Sequence, residues 1–521
     1  MRTRTIRRIS QIVFFGLFLV LIYATAYPLK PGIPVDLFVR LDPLAAAASM
    51  LAARALIAVM WPALVVVGIT ILLGRVFCGW VCPLGTTLDA SDKLFFRGKR
   101  RGAVQLRGLK YYILAGLLVS ALFSTQAVYL LDPLSLLTRT IVLVFVAPIQ
   151  MAFRWLAEMF YGWSSGGLGP MASVAAWLSD RAGAWQFISG PQLYFRQGLL
   201  VLAVFVAIIG LNSLSRRFWC RNLCPLGALL GLLSYVPILK RVVSKECIDC
   251  AKCTSCKMAA IHENPRLTRT AECIECFNCV PICPTDAVSF RFRPKPDLHP
   301  ETRLSLPRRR ILQGAAVGLG FAAMVRIDPG RKRALGETSS VKLSSQELIR
   351  PPGSVEESEF VARCIRCGEC MKVCPTNGLQ PALHEAGIEG FWTPILVPRI
   401  GCCTQECNAC GEVCPTDAVR PFKIEEKKHI FIATAVIERD QCIAWNSNRT
   451  CLVCDEYCSY KAVEWKTVEG TKRPFVNEKV CVGCGICESA CPIQPVAAIR
   501  VYSFGDKRHM TREEQRAWSE E

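Results

Sequence analysis

Apolar residues dominate the first half of the chain, in runs long enough to form membrane-spanning helices. A helix needs about 20 consecutive apolar residues to cross the hydrocarbon core of a bilayer. Four runs come close to that length and predict spans at residues 10–27, 51–74, 110–131 and 197–214. Cysteine groups dominate the rest of the chain, so a membrane part precedes a cysteine-rich part.

Two short motifs recur in the apolar half and define an internal repeat. Leu-Asp-Pro-Leu stands at 41–44 and at 131–134, and Cys-x3-Cys-Pro-Leu-Gly, hereafter CX3CP, begins at Cys78 and at Cys220. Each copy has the order span, LDPL, span, CX3CP. The sequence therefore predicts an α-helical membrane domain over 1–238, built from tandem two-span repeats with about four spans.

Basic residues beside the apolar runs set the predicted sidedness. Both CX3CP motifs lie next to Arg and Lys clusters such as 97–101, so the positive-inside rule places both on the cytoplasmic side. The basic N-terminus runs into the first span with no small-residue cleavage site, which indicates a retained helix rather than a cleaved signal peptide. A crossing at 141–160 would reverse the side of the second motif. We therefore predict that 141–160 and 163–187 are interfacial helices outside.

Composition narrows the function classes. A net charge of +20 could indicate a nucleic-acid partner, but the charge lies beside apolar segments, as membrane flanks do, and we expect no nucleic-acid binding. The first histidine is His262, and Cys-x-x-Cys-His is absent from the sequence. The membrane part therefore lacks the axial ligands that haem needs, and we expect no haem.

Twenty-four of the 29 cysteines fall into six groups of four. The groups that begin at Cys273, Cys364 and Cys481 are full C-x2-C-x2-C-x3-C-P runs, the spacing of bacterial two-cluster ferredoxins. In that arrangement three thiolates of one loop hold one cluster, and the fourth ligates the neighbouring cluster. The rule predicts six [4Fe-4S] ligand sets: Cys247, Cys250, Cys253 with Cys283; Cys273, Cys276, Cys279 with Cys256; Cys364, Cys367, Cys370 with Cys414; Cys403, Cys407, Cys410 with Cys374; Cys442, Cys451, Cys454 with Cys491; and Cys481, Cys484, Cys487 with Cys458.

These sets predict three ferredoxin modules of the α+β class, at 239–300, 361–425 and 430–505, followed by a polar tail at 506–521. The third module is the least regular, because eight residues separate Cys442 from Cys451 and Ser459 follows Cys458. Cys402 could replace its neighbour Cys403 as a ligand. Disulfides and zinc knuckles are the alternatives, but the odd cysteine total and the repeated Cys-Pro favour clusters.

Four cysteines, Cys78, Cys82, Cys220 and Cys224, lie outside these modules at the predicted membrane edge. They could meet across the repeat as one four-thiolate redox site. Two local disulfides, or free structural thiols beside a Cys-Pro helix break, are equally compatible with the spacing.

A second apolar segment at 303–327 separates the first ferredoxin module from the other two. The arginines at 308–310 precede a short run rich in Gly and Ala, which resembles a twin-arginine signal and is a candidate fifth span. A buried or amphipathic helix with a basic leader is the alternative. A linker at 328–360 follows. On this interpretation the first module is cytoplasmic and the last two are periplasmic.

By motif content the chain resembles two protein families joined end to end. The two CX3CP motifs and the paired groups from Cys247 to Cys283 resemble the NapH family. The arginines at 308–310, the stretch Arg350-Pro-Pro-Gly and the spaced Cys442 group resemble the NapG/MauM family. The resemblance implies a non-haem quinol dehydrogenase in the bacterial inner membrane that passes electrons from the quinone pool to a periplasmic reductase. No flavin domain of the NosR type precedes the first span, so no flavin is expected.

The predicted function is electron transfer from quinol through six 4Fe-4S clusters, without a catalytic acid–base residue in the chain. Whether the protein itself counts as an enzyme stays open. Candidate quinol contacts at span ends are Arg40, Asp42, Asp132 and Arg139, although the LDPL aspartates could simply cap helices. The alternatives are a redox maturation factor resembling the CcoG-type ferredoxins, which reduce a metal for a respiratory enzyme, and a structural membrane anchor.

Overall fold

The protein is described by a computed structural model that covers residues 2–30, 32–96, 106–165, 192–235, 237–292, 304–329, 348–447 and 449–503. The basic cluster at 97–101 and the tail at 506–521 lie wholly outside these residues, and the interfacial segment at 163–187 and the linker lie partly outside them. The chain divides into two compact units. The first consists of Met1–Ile22, Pro34–Thr138 and Leu202–Ala323, and the second of Tyr23–Ile33, Arg139–Val201 and Met324–Glu521.

The apolar half is helical, as predicted, but in shorter pieces. Its helices are Arg2–Ala24, Leu37–Arg40, Pro43–Ala53, Pro62–Leu73, Pro83–Phe95, Leu109–Leu122, Pro133–Thr140, Val146–Ser165, Gly198–Gly210 and Pro225–Leu233. Several begin with proline, whose fixed φ and missing N–H suit the first helical position. Tight 3₁₀ turns stand at Ala58–Met60, Val128–Leu130 and Leu211–Ser213, and wider π-helical turns at Phe77–Val81, Ile141–Phe145 and Trp219–Leu223.

Two of the predicted spans, 51–74 and 110–131, are not continuous helices, so these predictions are wrong. The run at 51–74 is broken because Arg54 has a left-handed backbone (φ 52°), which ends the helix Pro43–Ala53 before a new helix begins at Pro62. The run at 110–131 ends early because Ser124 is left-handed (φ 58°) just after the helix Leu109–Leu122. A left-handed residue stops the helical hydrogen-bond ladder. Hydropathy does not detect such a break, since both flanks are apolar.

By length and composition, the described residues contain three helices that could cross a membrane: Arg4–Ala24, Pro133–Met159 and Arg308–Ile327. The middle one is 27 residues of continuous helix that contains the π turn Ile141–Phe145. It covers most of residues 141–160, the run predicted to be an interfacial helix outside the membrane. The length and hydropathy of this helix also suit a membrane crossing. The interfacial position of residues 141–160 therefore stays a prediction.

The helix Arg308–Ile327 contains the arginines and the apolar run of the twin-arginine-like segment. In the first unit it packs against the helix Leu109–Leu122 through glycines. A Cβ atom on Gly318 would overlap the carbonyl oxygen of Gly116, and one on Gly314 would lie 2.5 Å from the Tyr112 carbonyl oxygen. Small residues allow this close backbone approach in helix pairs within membranes. The two helices run in the same direction, with their basic ends together.

The first and third ferredoxin modules are each closed by antiparallel strands that flank the cysteine loops. Leu239–Val243 pairs with Val288–Phe292 around the first module, and Thr434–Ile437 pairs with Ile499–Tyr502 around the third. The third module adds the hairpin Val463–Val468 with Thr471–Val476. Short helical segments lie within or beside the cysteine loops, at Lys252–Thr254, Thr270–Glu272, Ile443–Asn446, Val453–Glu456 and Ile486–Ala490. This is the α+β arrangement that the cysteine spacing predicts.

The second module is closed differently. A single bridge between Ser354 and Val419 flanks its loops, and its strands Leu379–Pro381 and Pro394–Leu396 pair between the two cysteine groups. Its helical segments are Glu357–Arg363, Glu369–Val373, Ala409–Glu412 and Ile424–Lys427.

The linker predicted at 328–360 is too long at its C-terminal end, because 348–360 belongs to the folded second module. Leu348 lies in a buried cluster with Ala382, Ala386 and Ile395. Arg350 forms a buried ion pair with Glu357, with 2.6 Å between Nη2 and Oε1. Both side chains are almost fully buried, and charges are tolerated there only when they are paired.

Candidate functional site

All 29 cysteines are free thiols in the structure, which therefore gives the disulfide alternative no support. Within the described ranges, no group of three or more Cys, His, Asp or Glu side chains could hold a single metal ion. A cubane distributes its four thiolate ligands over four irons, whereas a zinc knuckle gathers them around one ion. The cysteine groups are therefore candidate cluster sites.

In the first module, left-handed residues turn the cysteine loops inward. Asp249, Ala251, Glu275 and Phe277, each between two cysteines of a loop, all have positive φ of 47–55°. The second loop opens on a cavity of about 540 Å³ that is also lined by Arg7 and Asp89. The cysteines lining it are Cys256, Cys273, Cys276 and Cys279, the four predicted for one cluster. In the other loop Cys253 lies near Cys247 and Cys250, and its Sγ accepts a hydrogen bond from Arg241 at 3.4 Å.

The second module brings its cysteines together in the crossed sets. Burial raises the pKa of Cys370 well above its ordinary value, and three neighbouring thiols raise it further: Cys367, Cys364 and Cys414. Burial also raises the pKa of Cys410, as do the neighbours Cys403, Cys407 and Cys374. Cys403, not Cys402, is thus the nearer neighbour of Cys410 in that set. Burial also raises the pKa of Cys403, and the neighbouring Lys427 ammonium opposes that increase.

The third module shows the crossed sets as two separate cavities. One is lined by Cys458, Cys481, Cys484 and Cys487. The other is lined by Cys442, Cys451, Cys454 and Cys491, with the apolar side chains Ile437, Ile443, Ile493 and Ile499 around them. The displaced Cys442 therefore still joins its set. The short helix Ile443–Asn446 forms part of the eight-residue segment between Cys442 and Cys451.

The four sets of the second unit follow one another in a row. Taken in spatial order, the sets are those that begin at Cys364, Cys403, Cys481 and Cys442. Cys370 of the first set also interacts with Cys410 of the second, and Cys487 of the third interacts with Cys454 of the fourth. Between the second and third sets, the Cys403 N–H donates to the Cys484 carbonyl oxygen at 2.8 Å. This hydrogen bond joins the cysteine loops of two different modules. The order of the loops in the sequence does not predict this contact, because the Cys442 loop stands between the Cys403 loop and the Cys484 loop along the chain.

The two CX3CP motifs adopt the same local structure. In each, the second cysteine donates its backbone N–H five residues back, Cys82 to Phe77 and Cys224 to Trp219, both at 2.9 Å. This bond closes the π-helical turn. The following proline disfavours helical backbone in the residue before it, so the turn ends at the cysteine and a new helix begins at Pro83 or Pro225.

An arginine from each copy reaches into the other copy. Arg217 donates to the carbonyl oxygens of Cys78 at 3.2 Å and Gly85 at 3.1 Å, and it pairs with both carboxylate oxygens of Asp89. Arg75 correspondingly lies against the second copy, where a Cβ on Gly227 would be 2.8 Å from its Nη2. The glycine of each motif thus leaves space for a guanidinium. Arg75 and Arg217 both stand three residues before the first cysteine of their motif. This repeated position was visible in the sequence, but it was not recognised there as functional.

The crossed arginines bring the four membrane-edge thiols together. Burial raises the pKa of Cys82, and the neighbouring charges of Cys78 and Cys220 raise it further. Cys224 lies near the same two thiols and Cys82. The four cysteines of the two copies therefore form one group, in which no two are joined by a disulfide. We call this group the membrane-edge site.

The membrane-edge site adjoins the first ferredoxin module. Met258, Ala260 and Ile274 form a small buried cluster, and the cysteines that pack against it come from both places: Cys78 and Cys220, and Cys256, Cys273 and Cys276. Trp80, inside the first CX3CP motif, donates its indole N–H to the Glu275 carbonyl oxygen at 2.9 Å. A buried carboxylate continues the contact, because Glu272 accepts from Lys110, Tyr111 and Arg75.

The four candidate quinol contacts are engaged by the protein itself. Asp42 caps the helix Pro43–Ala53 by accepting from Leu44 N and Ala45 N, and Asp132 accepts from Ser135 N at 2.8 Å. Arg40 pairs with Asp36 at 2.6 Å. Arg139 stacks over the Trp392 ring at 4.1 Å in the second unit. Asp42, Asp132 and Arg139 are almost fully buried, so their role as quinol contacts stays a prediction that these surroundings do not support.

The residues present suit 4Fe-4S clusters. Thiolates are the ligands that iron–sulfur clusters take, and crossed sets of four converge in the second and third modules and around the larger cavity of the first. When bound, each cluster would supply one-electron redox chemistry.

Comparison with known proteins agrees with this donor set. Two family models described as "4Fe-4S binding domain" match the chain, Fer4_5 at 55–102 and 197–246 and Fer4 at 361–380 and 474–496. The first model covers both CX3CP motifs. The chain is 30% identical over 200 residues to the ferredoxin-type protein NapG of Escherichia coli, which is 36% of this chain and 83% of NapG. It is 31% identical over 170 residues to the methylamine utilization ferredoxin-type protein MauM of Methylorubrum extorquens, 31% of this chain and 76% of MauM. It is also 34% identical over 199 residues to the ferredoxin-type protein NapF of Haemophilus influenzae, 37% of this chain and 93% of NapF.

Proposed function

The chain belongs to the NapG/MauM family of ferredoxin-type proteins, and on that basis we propose that it is a membrane-bound non-haem quinol dehydrogenase. It takes electrons from the quinone pool and passes them through 4Fe-4S clusters to a periplasmic oxidoreductase. Residues 1–300 act as a NapH-like membrane subunit, and residues 308–500 as the NapG-like polyferredoxin fused to it.

One observation carries the proposal. The membrane-edge thiols Cys78 and Cys220 pack against the same three apolar side chains as Cys256, Cys273 and Cys276 of the first module. A redox centre at the apolar helices would thus lie beside a ferredoxin cluster site without an intervening domain. Ferredoxins that exchange electrons only with soluble partners have no use for such a contact.

The membrane-edge site is the seventh thiolate group of the chain, and we include it as a redox centre. Its four thiols are buried or half-buried and close to two fully buried arginines, Arg75 and Arg217. Cationic neighbours favour the thiolate form that metal ligation requires. The six ferredoxin sets hold the other clusters, as the crossover rule assigns them.

The row of four sets in the second unit gives the route towards the acceptor. Its first set lies beside apolar helix: Gly368, between Cys367 and Cys370, packs against Val142 and Leu143, with 3.5 Å from an ideal Cβ to the Val142 side chain. The fourth set contains the half-buried Cys442 and Cys451. Electrons would leave from that end to a soluble redox partner.

The proposed location is the bacterial inner membrane, with the first module cytoplasmic and the last two periplasmic. The helix Arg308–Ile327 begins with three arginines and, by its length of 20 residues and its composition, could cross a membrane, which supports a crossing between them. Reporter fusions after Glu301 and after Ser340 test this directly. Reporters on opposite sides support the crossing, and reporters on the same side refute it.

The decisive experiment is the reduction of clusters by quinol. The purified full-length protein, in detergent or nanodiscs, is mixed anaerobically with a reduced quinol analogue, and cluster reduction is followed by EPR with dithionite as the reference for total clusters. Reduction by quinol supports the proposal. If dithionite reduces the clusters and quinol does not, the quinol dehydrogenase role fails. Reduction of added copper ions in that case would point to the maturation role.

A further inference from the structure

The helices Leu109–Leu122 and Arg308–Ile327 enclose a groove beside their glycine contact. The groove has a volume of about 660 Å³, within the roughly 300–1,000 Å³ of small-molecule sites. Both helices are apolar, and Arg308–Ile327 is long enough to span a membrane. The opening between them therefore faces the lipid phase if the helices are embedded as proposed.

The lining of the groove is asymmetric along its length. Most of it is apolar, with Ile113, Leu117, Val317 and Phe321 among its wall residues. The polar side chains collect at the end where both helices begin: Arg107, Tyr112, Arg310 and Gln313. Ser120 is the exception nearer the other end. An elongated apolar groove with donors at one end suits a molecule with a polar ring and a long hydrocarbon tail.

One donor at the polar end has no hydrogen-bond partner among the residues that the structure describes. It is the buried Nε atom of Arg107, and an unpaired buried donor is costly. A ligand oxygen in the groove would satisfy it. Arg310 and Gln313 are exposed on the neighbouring helix, so they are free to turn toward the same ligand.

The polar end also adjoins a cluster site. The Arg107 guanidinium interacts electrostatically with Glu272 and with Cys256. Cys256 lines the cavity of the first module together with Cys273, Cys276 and Cys279. A redox-active ring held at Arg107 would therefore be next to an electron acceptor, whereas a ring at the far end of the groove would not.

We propose that this groove is the quinol site, with the quinol ring at the Arg107 end and its isoprenoid tail along the apolar walls. The proposal rests on the quinol dehydrogenase function and assigns its substrate a place. Oxidation of a quinol to the quinone breaks two O–H bonds and releases two protons and two electrons. The protons leave to water at the arginine end, and the electrons leave one at a time to 4Fe-4S clusters, which are one-electron acceptors. The ring oxygens accept hydrogen bonds from Arg107 and Gln313.

A matched pair of bulky substitutions tests the site. Val317 and Leu312 lie on the same helix and are similarly exposed, 73% and 68%, but only Val317 lines the groove. Val317→Trp should reduce photolabelling by an azidoquinone, read by peptide mass spectrometry, at least tenfold, and Leu312→Trp should leave it unchanged. The label should map to residues 106–131 and 310–321. Equal labelling of both variants would overturn the proposal.

A second pair tests the polar end without filling the groove. Arg310 lines it and the neighbouring Arg309 does not, so Arg310→Gln should weaken quinone binding severalfold while Arg309→Gln should not. Dithionite-reduced EPR spectra confirm that the clusters of each variant are intact. Equal binding by both variants would count against the ring position.

These outcomes separate the site from the function. If wild-type clusters are reduced by quinol but Val317→Trp retains full labelling and reduction, the groove is not the site and the proposed function stands. If quinol reduces no cluster in the wild type, the function itself fails. Co-purification of a phospholipid in the groove, undisplaced by quinone, would refute the assignment of the occupant.

Discussion

The membrane-edge site and the ferredoxin loops gather cysteines in contrasting ways. In four of the six predicted sets, three thiols of one loop lie within seven residues. Cys364, Cys367 and Cys370 are an example, and left-handed residues between them turn the loop. At the membrane edge two thiols come from each of two segments more than a hundred residues apart, held by helix packing and crossed arginines. A ferredoxin set is mostly a local property of the sequence, whereas the membrane-edge site is a property of the tertiary fold.

The contrast predicts which changes are selective. Replacing Cys78, Cys82, Cys220 and Cys224 together by serine should remove quinol-dependent cluster reduction entirely and leave the ferredoxin clusters reducible by dithionite. The measurement is EPR with both reductants, together with iron quantitation. Unchanged iron content and unchanged quinol oxidation would show that the four thiols are only structural.

Removing a crossed arginine should damage the membrane-edge site through the fold. Arg217→Ala leaves the buried Asp89 without its two-point partner, and breaking such a buried pair costs about 3–5 kcal/mol of unfolding free energy. The matched control is Arg216→Ala, whose pair with Asp92 is long, at 3.6 Å, and exposed, and which should cost about 0–1 kcal/mol. Thermal unfolding in detergent compares the two. Equal effects would contradict the role of the crossed arginine.

The motif glycines should show a smaller, graded effect. Gly227→Ala places a Cβ 2.8 Å from the Arg75 guanidinium, which is fixed by Ala271 and Glu272, and should cost about 1–3 kcal/mol. Gly85→Ala meets its closest guanidinium atom at 3.4 Å and the Cys78 carbonyl oxygen at 3.1 Å, so its cost should be lower. Thermal unfolding of the two variants gives the order. The reverse order would contradict the contact geometry.

The smallest effect is expected at the spare cysteine. Cys402→Ser should retain all clusters and change the free energy of unfolding by no more than about 0.5 kcal/mol, because Cys403 is the nearer neighbour of the set. Cys403→Ser should lose one cluster from iron quantitation. Loss of iron from Cys402→Ser but not from Cys403→Ser would show that Cys402 is the cluster ligand and Cys403 the spare cysteine.

The sequence predicted the ferredoxin part well because its determinants are local. Spacing and the crossover rule identified cysteine partners that converge in the second and third modules, including the displaced Cys442. They also predicted the α+β modules, whose strands Leu239–Val243 and Val288–Phe292 close the first one. The linker was overestimated because residues 348–360 are buried by contacts with segments far along the chain, which composition does not report.

The membrane part was less predictable because its determinants are distant or conformational. A single left-handed residue, Arg54, divides a predicted span. The aspartates of the LDPL repeats are buried helix caps, the role that their sequence favoured over ligand binding. The arginines that join the two CX3CP copies stood inside the recognised motif, but their partners Gly85 and Asp89 are more than 120 residues from Arg217.

The hydrogen bond from Cys403 to Cys484 has a kinetic consequence. Since the backbones of two cluster loops in different modules are in direct contact, the separation of their clusters does not depend on a domain swinging into place. Electron passage between the second and third modules should therefore be ungated. Its rate should stay constant as the viscosity of the solvent is raised, while delivery to a diffusing partner slows.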